Sequence, residues 1–255
     1  METGKYRLSD GSIYEGEVVD GKPHGKGKFT WSDGDFYEGD FVDGQRSGKG
    51  KLISTDGRIY EGGFVNDIQN GKGKMIWANG MVYEGDYVNG QKSGKGKYTW
   101  ADGCVYEGDW LNNNFHGKGK YTWSDGRSYE GDYVNGQMHG KGKFTYAEGG
   151  SYEGDFLYGK RQGNGKVILR SGSTYEGEWF DDNWHGKGKY TMANDVIYEG
   201  DFVGGELNRG KMTKPNGDVS EGDLVKCEPY GNGKMTYSDG SVEEGKWKEG
   251  EFVGK

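Results

Sequence analysis

The sequence predicts an all-β fold: an elongated, twisted antiparallel meander of tandem β-hairpins, about 22 strands in one repeat solenoid. Three observations predict it. First, Tyr-Glu-Gly recurs at Tyr14, Tyr37, Tyr60, Tyr83, Tyr106, Tyr129, Tyr152, Tyr175 and Tyr198, always 23 residues apart. Second, a block reading Gly-Lys-Gly-Lys, then alternating residues, lies between copies, as at Gly25, Gly48, Gly71, Gly94, Gly117, Gly140 and Gly186, with a variant at Gly163. Third, the 255 residues include 52 Gly, 19 Tyr, 10 Phe and 8 Trp, but only 31% hydrophobic residues in all. That aliphatic content is too low for a layered globular core, and the ring content is too high for a disordered chain. With only 3 prolines the glycines are not collagenous.

Each repeat is read by its offset from the tyrosine. Offsets 0, 2 and 4 are apolar or small (Tyr37, Gly39, Phe41), and charged residues stand between them (Glu38, Asp40). That alternation predicts a strand. Next comes Asp43-Gly44-Gln45 or a relative, which is hairpin-turn chemistry. The second strand runs through offsets 11, 13, 15 and 17 on one face (Gly25, Gly27, Phe29, Trp31), with Lys26, Lys28 and Thr30 on the other. Ser-Asp-Gly or Ala-Asp-Gly closes the unit. One register is expected to satisfy both faces. Offset 4 would face 13, offset 2 would face 15 and offset 0 would face 17, so that rings flank each strand glycine. Lys at offset 14 would then lie between acids at offset 3. Counted this way, 1–255 is one continuous array: an N-terminal half-repeat at 4–13, ten repeats at 14–242 and a C-terminal partial repeat at 243–255. At about 4.8 Å per strand the ribbon would be on the order of 100 Å long.

Several function classes are disfavoured. Net charge is -8, against the basic surplus that nucleic-acid binding requires. No apolar run approaches a membrane span of about 18 residues, and Met1-Glu2-Thr3-Gly4-Lys5 is unlike a signal peptide. Cys104 and Cys227 are expected to be free thiols, which fits a reducing, cytoplasmic setting. His24, His116, His139 and His185 all sit at offset 10, placed by this reading in the hairpin turn. Neighbouring repeats are about 10 Å apart, too far for shared metal ligation at about 2 Å. Gly-Lys-Gly-Lys lies on a strand and opens no helix, so a phosphate loop is not expected. Neither catalysis nor a cofactor is expected.

Two features suggest binding. The ring face could present thousands of Å², more than monomers usually expose. Rings on it include Trp100, Tyr106, Trp110, Trp123 and Tyr129. At offset 9, read as the hairpin tip, stand Phe115, Met138 and Trp184, apolar anchors of the kind that dominate interfaces.

The pattern Tyr-Glu-Gly-Asp-Trp at Tyr106–Trp110, with His116-Gly117-Lys118-Gly119, resembles the MORN (membrane occupation and recognition nexus) repeat. The resemblance covers roughly residues 4–250. It implies an all-β sheet of hairpins and no catalysis by the repeats. A repeat-only chain is similar to ciliary radial-spoke head proteins and cytoskeletal scaffolds. The resemblance therefore implies a non-catalytic scaffold for protein partners of a larger assembly, cytoskeleton-associated and in the cilium or axoneme. A second copy is a further candidate occupant of the ring face. The family name and the lysine rows suggest an alternative, a phospholipid-binding adaptor, though the acidic net charge weighs against membrane lipid. A regulatory accessory subunit of a separate enzyme is a third reading. The chain departs from the pattern at Gly63, around Glu206–Arg209, and at Ser220, Glu243 and Lys246. Those C-terminal departures are read either as a polar cap or as a docking end.

Gly108→Val is expected to disrupt ring packing, whereas Lys118→Gln, on the charged face, is expected to be nearly silent. Equal melting temperatures for the two variants would contradict the assigned faces.

Overall fold

A computed structural model describes residues 2–225 and 228–255. Cys227 lies outside the described residues. Among the described residues the fold is all-β: 23 strands form a single antiparallel meander that does not close. The chain forms two compact units, Met1–Ser124 with Tyr133–Gly136, and Asp125–Asp132 with Gln137–Lys255. The first unit contains β1 (Glu2–Arg7), β2 (Ile13–Val19), β3 (Lys22–Thr30), β4 (Phe36–Val42), β5 (Gln45–Ile53), β6 (Ile59–Val65), β7 (Ile68–Ile76), β8 (Val82–Val88), β9 (Gln91–Thr99), β10 (Val105–Leu111) and β11 (Asn114–Thr122). The second unit repeats the same alternation of seven- and nine-residue strands from Gln137–Thr145 onward, with one eight-residue strand at Glu206–Thr213. It ends in a short strand at Glu251–Gly254.

The strand faces are those expected, but the register is not. Tyr14 faces Phe29 and Gly16 faces Gly27 within the first hairpin. Across the next turn Phe29 faces Tyr37, Gly27 faces Gly39 and Gly25 faces Phe41. Pairing has slipped by two residues from the expected one, so glycine meets glycine rather than a ring. A slip of two preserves which face each side chain takes, because the strand period is also two. The physical reason lies in the turns. Asp43 and Gly44 both have positive φ, 50° and 89°, which makes a two-residue hairpin loop that ends earlier than read. Offsets 8–10 therefore belong to the second strand, and a bulge around offset 11 restores alignment. Gly117 adopts φ 57° at that bulge, where the register shifts between Gly108 and Asp109. The acid at offset 3 caps the N–H that the bulge frees. Asp40 Oδ2 accepts from Lys49 N at 2.8 Å, and Asp109 Oδ2 accepts from Lys118 N at 2.9 Å.

The paired glycines explain the core. Tyr37 lies along its own strand over Gly39 and Gly50. A Cβ on Gly50 would sit 2.2 Å from Tyr37 Oη, and one on Gly39 would sit 2.5 Å from Gly50 Cα. Its hydroxyl donates to Asp40 O at 3.0 Å. Phe41 and Phe64 meet the ring edge-on, each at 5.1 Å between centroids. The same tyrosine position is sealed from Tyr14 to Tyr175, at no more than 2% exposure.

Burial favours the neutral phenol in these tyrosines. It pushes Tyr37, Tyr60 and Tyr175 up to about 12 and raises Tyr83, Tyr106, Tyr129 and Tyr152 as well. An unfolded tyrosine ionises near about 10. Stability is therefore intact below that value and falls as pH rises from about 10 through about 12. Loss of strand circular dichroism should coincide with tyrosinate absorbance in this window. Tyrosinate formation near pH 10 with the sheet intact would contradict the buried arrangement.

Candidate partner-binding face

The ring face has a closed floor and an open margin. Offsets 0 and 4 make the floor: Tyr106 and Tyr129 are fully buried and Trp110 is 5% exposed. Trp110 is further pinned by its indole N–H, which donates to Gly96 O at 3.1 Å. The margin is the half-buried row of offset 17, Trp31, Trp77, Trp100 and Trp123. Each of these starts the turn after a second strand. Trp31 and Trp100, for example, donate N–H to Asp35 O and Cys104 O at 2.9 Å.

Trp100, Tyr106, Trp110 and Phe115 come together in one cluster in the first unit. Phe115 stacks on Tyr106 at 3.8 Å and 13°, meets Trp110 at 5.0 Å and reaches Trp100 at 6.0 Å. Trp123 joins through Tyr121, which lies 5.2 Å from Trp100 and 4.6 Å from Trp123. The other three residues are in the second unit. Tyr129 packs on Phe156 at 5.0 Å, and Trp184 stacks on Tyr175 at 4.4 Å and 5°. Met138 is half-buried, and its carbonyl accepts from Gly159 N at 2.9 Å. Phe115, Met138 and Trp184 are thus not at hairpin tips. They are second residues of second strands, with Phe115 facing Trp110 and Trp184 facing Trp179.

The histidines are also within strands rather than turns. No group of three or more His, Cys, Asp or Glu side chains that could hold a metal occurs among the described residues. Cys104 is buried, with Sγ 3.4 Å from Asp102 Oδ2.

The opposite face is a ladder of paired charges. Lys at offset 12 meets Asp at offset 3 of the next hairpin: Lys26–Asp40, Lys95–Asp109 and Lys141–Asp155 are each 2.6 Å. Lys at offset 14 meets Glu at offset 1, not the expected offset 3, as in Lys74–Glu84 at 3.5 Å and Lys189–Glu199 at 3.0 Å.

Sequence reading places a further set of ring-face residues at the hairpin tip: the cations Arg46, Lys92 and Arg161 at offset 9. The sequence carries a signal that sets these positions apart. After each of these cations, and only there in repeats 14–219, offset 7 of the next repeat changes from Gly to Asp67, Asn113 or Asp182. The changed residue adopts φ of 68°, 69° or 67° and accepts the cation's backbone N–H.

The 23-residue hairpin, with its Tyr-Glu-Gly strand and Gly-X-Gly partner, matches the MORN repeat family model at 14–36, 37–57, 60–82, 83–105, 106–126, 129–151, 152–174, 175–195, 198–219 and 231–242. The chain belongs to the MORN repeat family. Among solved structures, this MORN protein is similar to the TCP10 domain of Danio rerio CPAP in complex with a peptide of Danio rerio STIL. That likeness is 10% identity over 96% of this chain and 100% of that one, with a TM-score of 0.45. It is also similar to the TCP10c domain of Drosophila melanogaster Sas-4, at 11% identity over 97% and 100%, TM-score 0.25. Virginiamycin B lyase from Staphylococcus aureus follows at 12% identity over 96% and 84%, TM-score 0.17. Likeness at these scores carries no argument about what the chain does. No curated protein matches it.

Trp184→Ala should lower stability by about 1–2 kcal/mol in urea denaturation, because a half-buried ring loses its stack on Tyr175. Unchanged stability would show that the stack holds nothing in place.

Proposed function

We propose that this MORN protein is a non-catalytic scaffold that holds partner proteins on its ring face, within a cytoskeletal assembly such as a ciliary axoneme. The observation that carries this reading is the half-buried tryptophan row, Trp31, Trp77, Trp100 and Trp123, along a pinned floor of rings. Such a surface offers large apolar area at little conformational cost, since the floor beneath it is already fixed. The axonemal setting comes from the resemblance to repeat-only radial-spoke head members. Occupants include segments of other proteins and a second copy of this chain. Phe115, Met138 and Trp184 serve this reading as supports of the face, stacked or half-buried beside it.

A phospholipid adaptor is the second reading, and the charged face weighs against it. Many of its lysines are paired within the sheet, as in Lys72–Asp86 at 2.8 Å and Lys166–Glu176 at 3.1 Å. Binding to anionic membranes runs on unpaired basic clusters.

Two preparations separate the readings: the Trp77→Ala/Trp100→Ala protein and the Lys72→Gln/Lys74→Gln protein. Affinity purification from the source cell should lose its specific partners with the tryptophan variant and keep them with the lysine variant. Strong, salt-sensitive cosedimentation with anionic vesicles, lost in the lysine variant, would overturn the proposal in favour of the adaptor.

A further inference from the structure

Of the three offset-9 cations on the ring face, two are neutralised within the protein. Arg46 Nε is 3.0 Å from Asp67 Oδ1, and its Nη2 donates to Asp67 O at 2.9 Å. Arg161 makes the same contacts with Asp182 at 3.0 and 2.9 Å. The third is Lys92, and its counterpart is Asn113. The backbone arrangement is the same: Asn113 Oδ1 accepts Lys92 N–H at 2.9 Å, as Asp67 and Asp182 accept from Arg46 and Arg161 at 3.0 and 2.9 Å. Only the negative charge is missing.

The Lys92 ammonium stands instead among ring faces. It lies 4.6 Å from the centroid of Tyr98, 4.9 Å from Trp110, 5.5 Å from Tyr83 and 5.7 Å from Trp77. Its side chain is half-buried, and that burial pulls its pKa down. Among the described residues it has no ion pair and no hydrogen bond from Nζ. Ring quadrupoles compensate an ammonium only in part. A partly desolvated cation without a counter-charge remains unfavourable, and a carboxylate brought to it here would interact more strongly than in water. Trp77 borders the site directly and Trp100 lies beside Tyr98 at 4.5 Å, and both half-buried rings present apolar surface near the charge.

We propose that Lys92 is the docking point for an Asp or Glu side chain on an extended segment of a partner protein, with apolar residues of that segment packing on Trp77 and Trp100. This rests on the reading that the ring face receives protein partners. The partner's carboxylate would take the place that Asp67 and Asp182 fill for the two arginines. The other ring-face positions would then recognise shape, and Lys92 would set the register of the bound segment.

The test is selection of a phage-displayed random peptide library on the full-length protein, followed by calorimetry with a synthetic copy of the best peptide. Three variants are compared: Lys92→Met, Asn113→Asp and Trp77→Ala/Trp100→Ala. The first two place residues already found at equivalent positions, Met138 and Asp67 or Asp182, so the repeat accommodates them. The parent should enrich peptides with Asp or Glu at one fixed position flanked by apolar residues. Lys92→Met and Asn113→Asp should each weaken the chosen peptide at least tenfold. Its acid-to-amide version should lose the same factor on the parent and nothing further on Lys92→Met. Selected peptides without a fixed acid, bound equally by parent and Lys92→Met but lost in the tryptophan variant, would overturn this inference and leave the ring-face reading standing. Peptides bound equally by the tryptophan variant, or none selected, would overturn both.

Discussion

A tyrosine ring lying across a pair of facing glycines is the contact on which the rest of the structure depends. At Tyr37 the ring rests on Gly39 and Gly50, and a Cβ on either would come within 2.5 Å of the ring or the facing backbone. The glycine pair lets the ring lie flat on the sheet, and the flat ring lets its hydroxyl reach Asp40 O. The offset-4 ring can then close over it edge-on, at 5.1 Å for Phe41. A two-sided sheet with few aliphatic residues thereby obtains a sealed core one side chain thick. Glycine ordinarily weakens a strand. Here the ring supplies the packing that a glycine side chain lacks, so the high glycine and ring contents are one device.

Much of this was readable from residues. The 23-residue step fixed the repeat, alternation fixed the faces, and Asp-Gly or Asn-Gly pairs fixed the hairpins. The register was not readable by the same route. Pairings two residues apart place identical side chains on each face, and both bring lysines opposite acids. What separates them is where the turn ends and where the bulge falls, and both are set by positive φ at residues such as Gly44 and Gly117. Gln45 reads as a turn residue but is the first residue of the second strand. The misplaced turn then carried Phe115, Met138 and Trp184 to a tip they do not occupy. Burial within the candidate site was equally hidden. Tyr106 and Trp100 are both ring-face residues by parity, yet one is sealed and the other half-open, because Trp110, Tyr133 and Phe115 close over Tyr106 whereas Trp100 stands at the margin where a turn begins.

The two faces divide the work between rigidity and recognition. The charged face neutralises itself in rows, with offset-3 acids such as Asp40, Asp86, Asp109 and Asp155 serving both the bulge N–H and a lysine of the preceding hairpin. The ring face keeps a fixed floor and varies its margin, which is Trp at 31, 77, 100 and 123 but Ser54, Tyr146 and Leu169 elsewhere. Variation on an invariant floor gives each repeat its own surface at little risk to the fold. The C-terminal repeats relax the floor itself. Ser220 and Glu243 replace the tyrosine, and Glu243 accepts from Tyr237 Oη at 2.5 Å. With the tyrosine gone, a Cβ on Gly233 would meet nothing closer than 3.1 Å.

That contrast defines the most direct measurement: a double-mutant cycle between Tyr60 and Gly73. A Cβ on Gly73 would meet Tyr60 Oη at 2.3 Å, and its nearest neighbours are all atoms of that ring. Gly73→Ala should therefore destabilise the parent protein by about 1–3 kcal/mol, the usual range for overpacking. In a Tyr60→Ser background, with the residue that stands naturally at 220, the same change should have almost no effect or be mildly stabilising. A coupling of this size and sign, measured by urea denaturation, is what the ring-on-glycine account predicts. An equal penalty for Gly73→Ala in both backgrounds would contradict it.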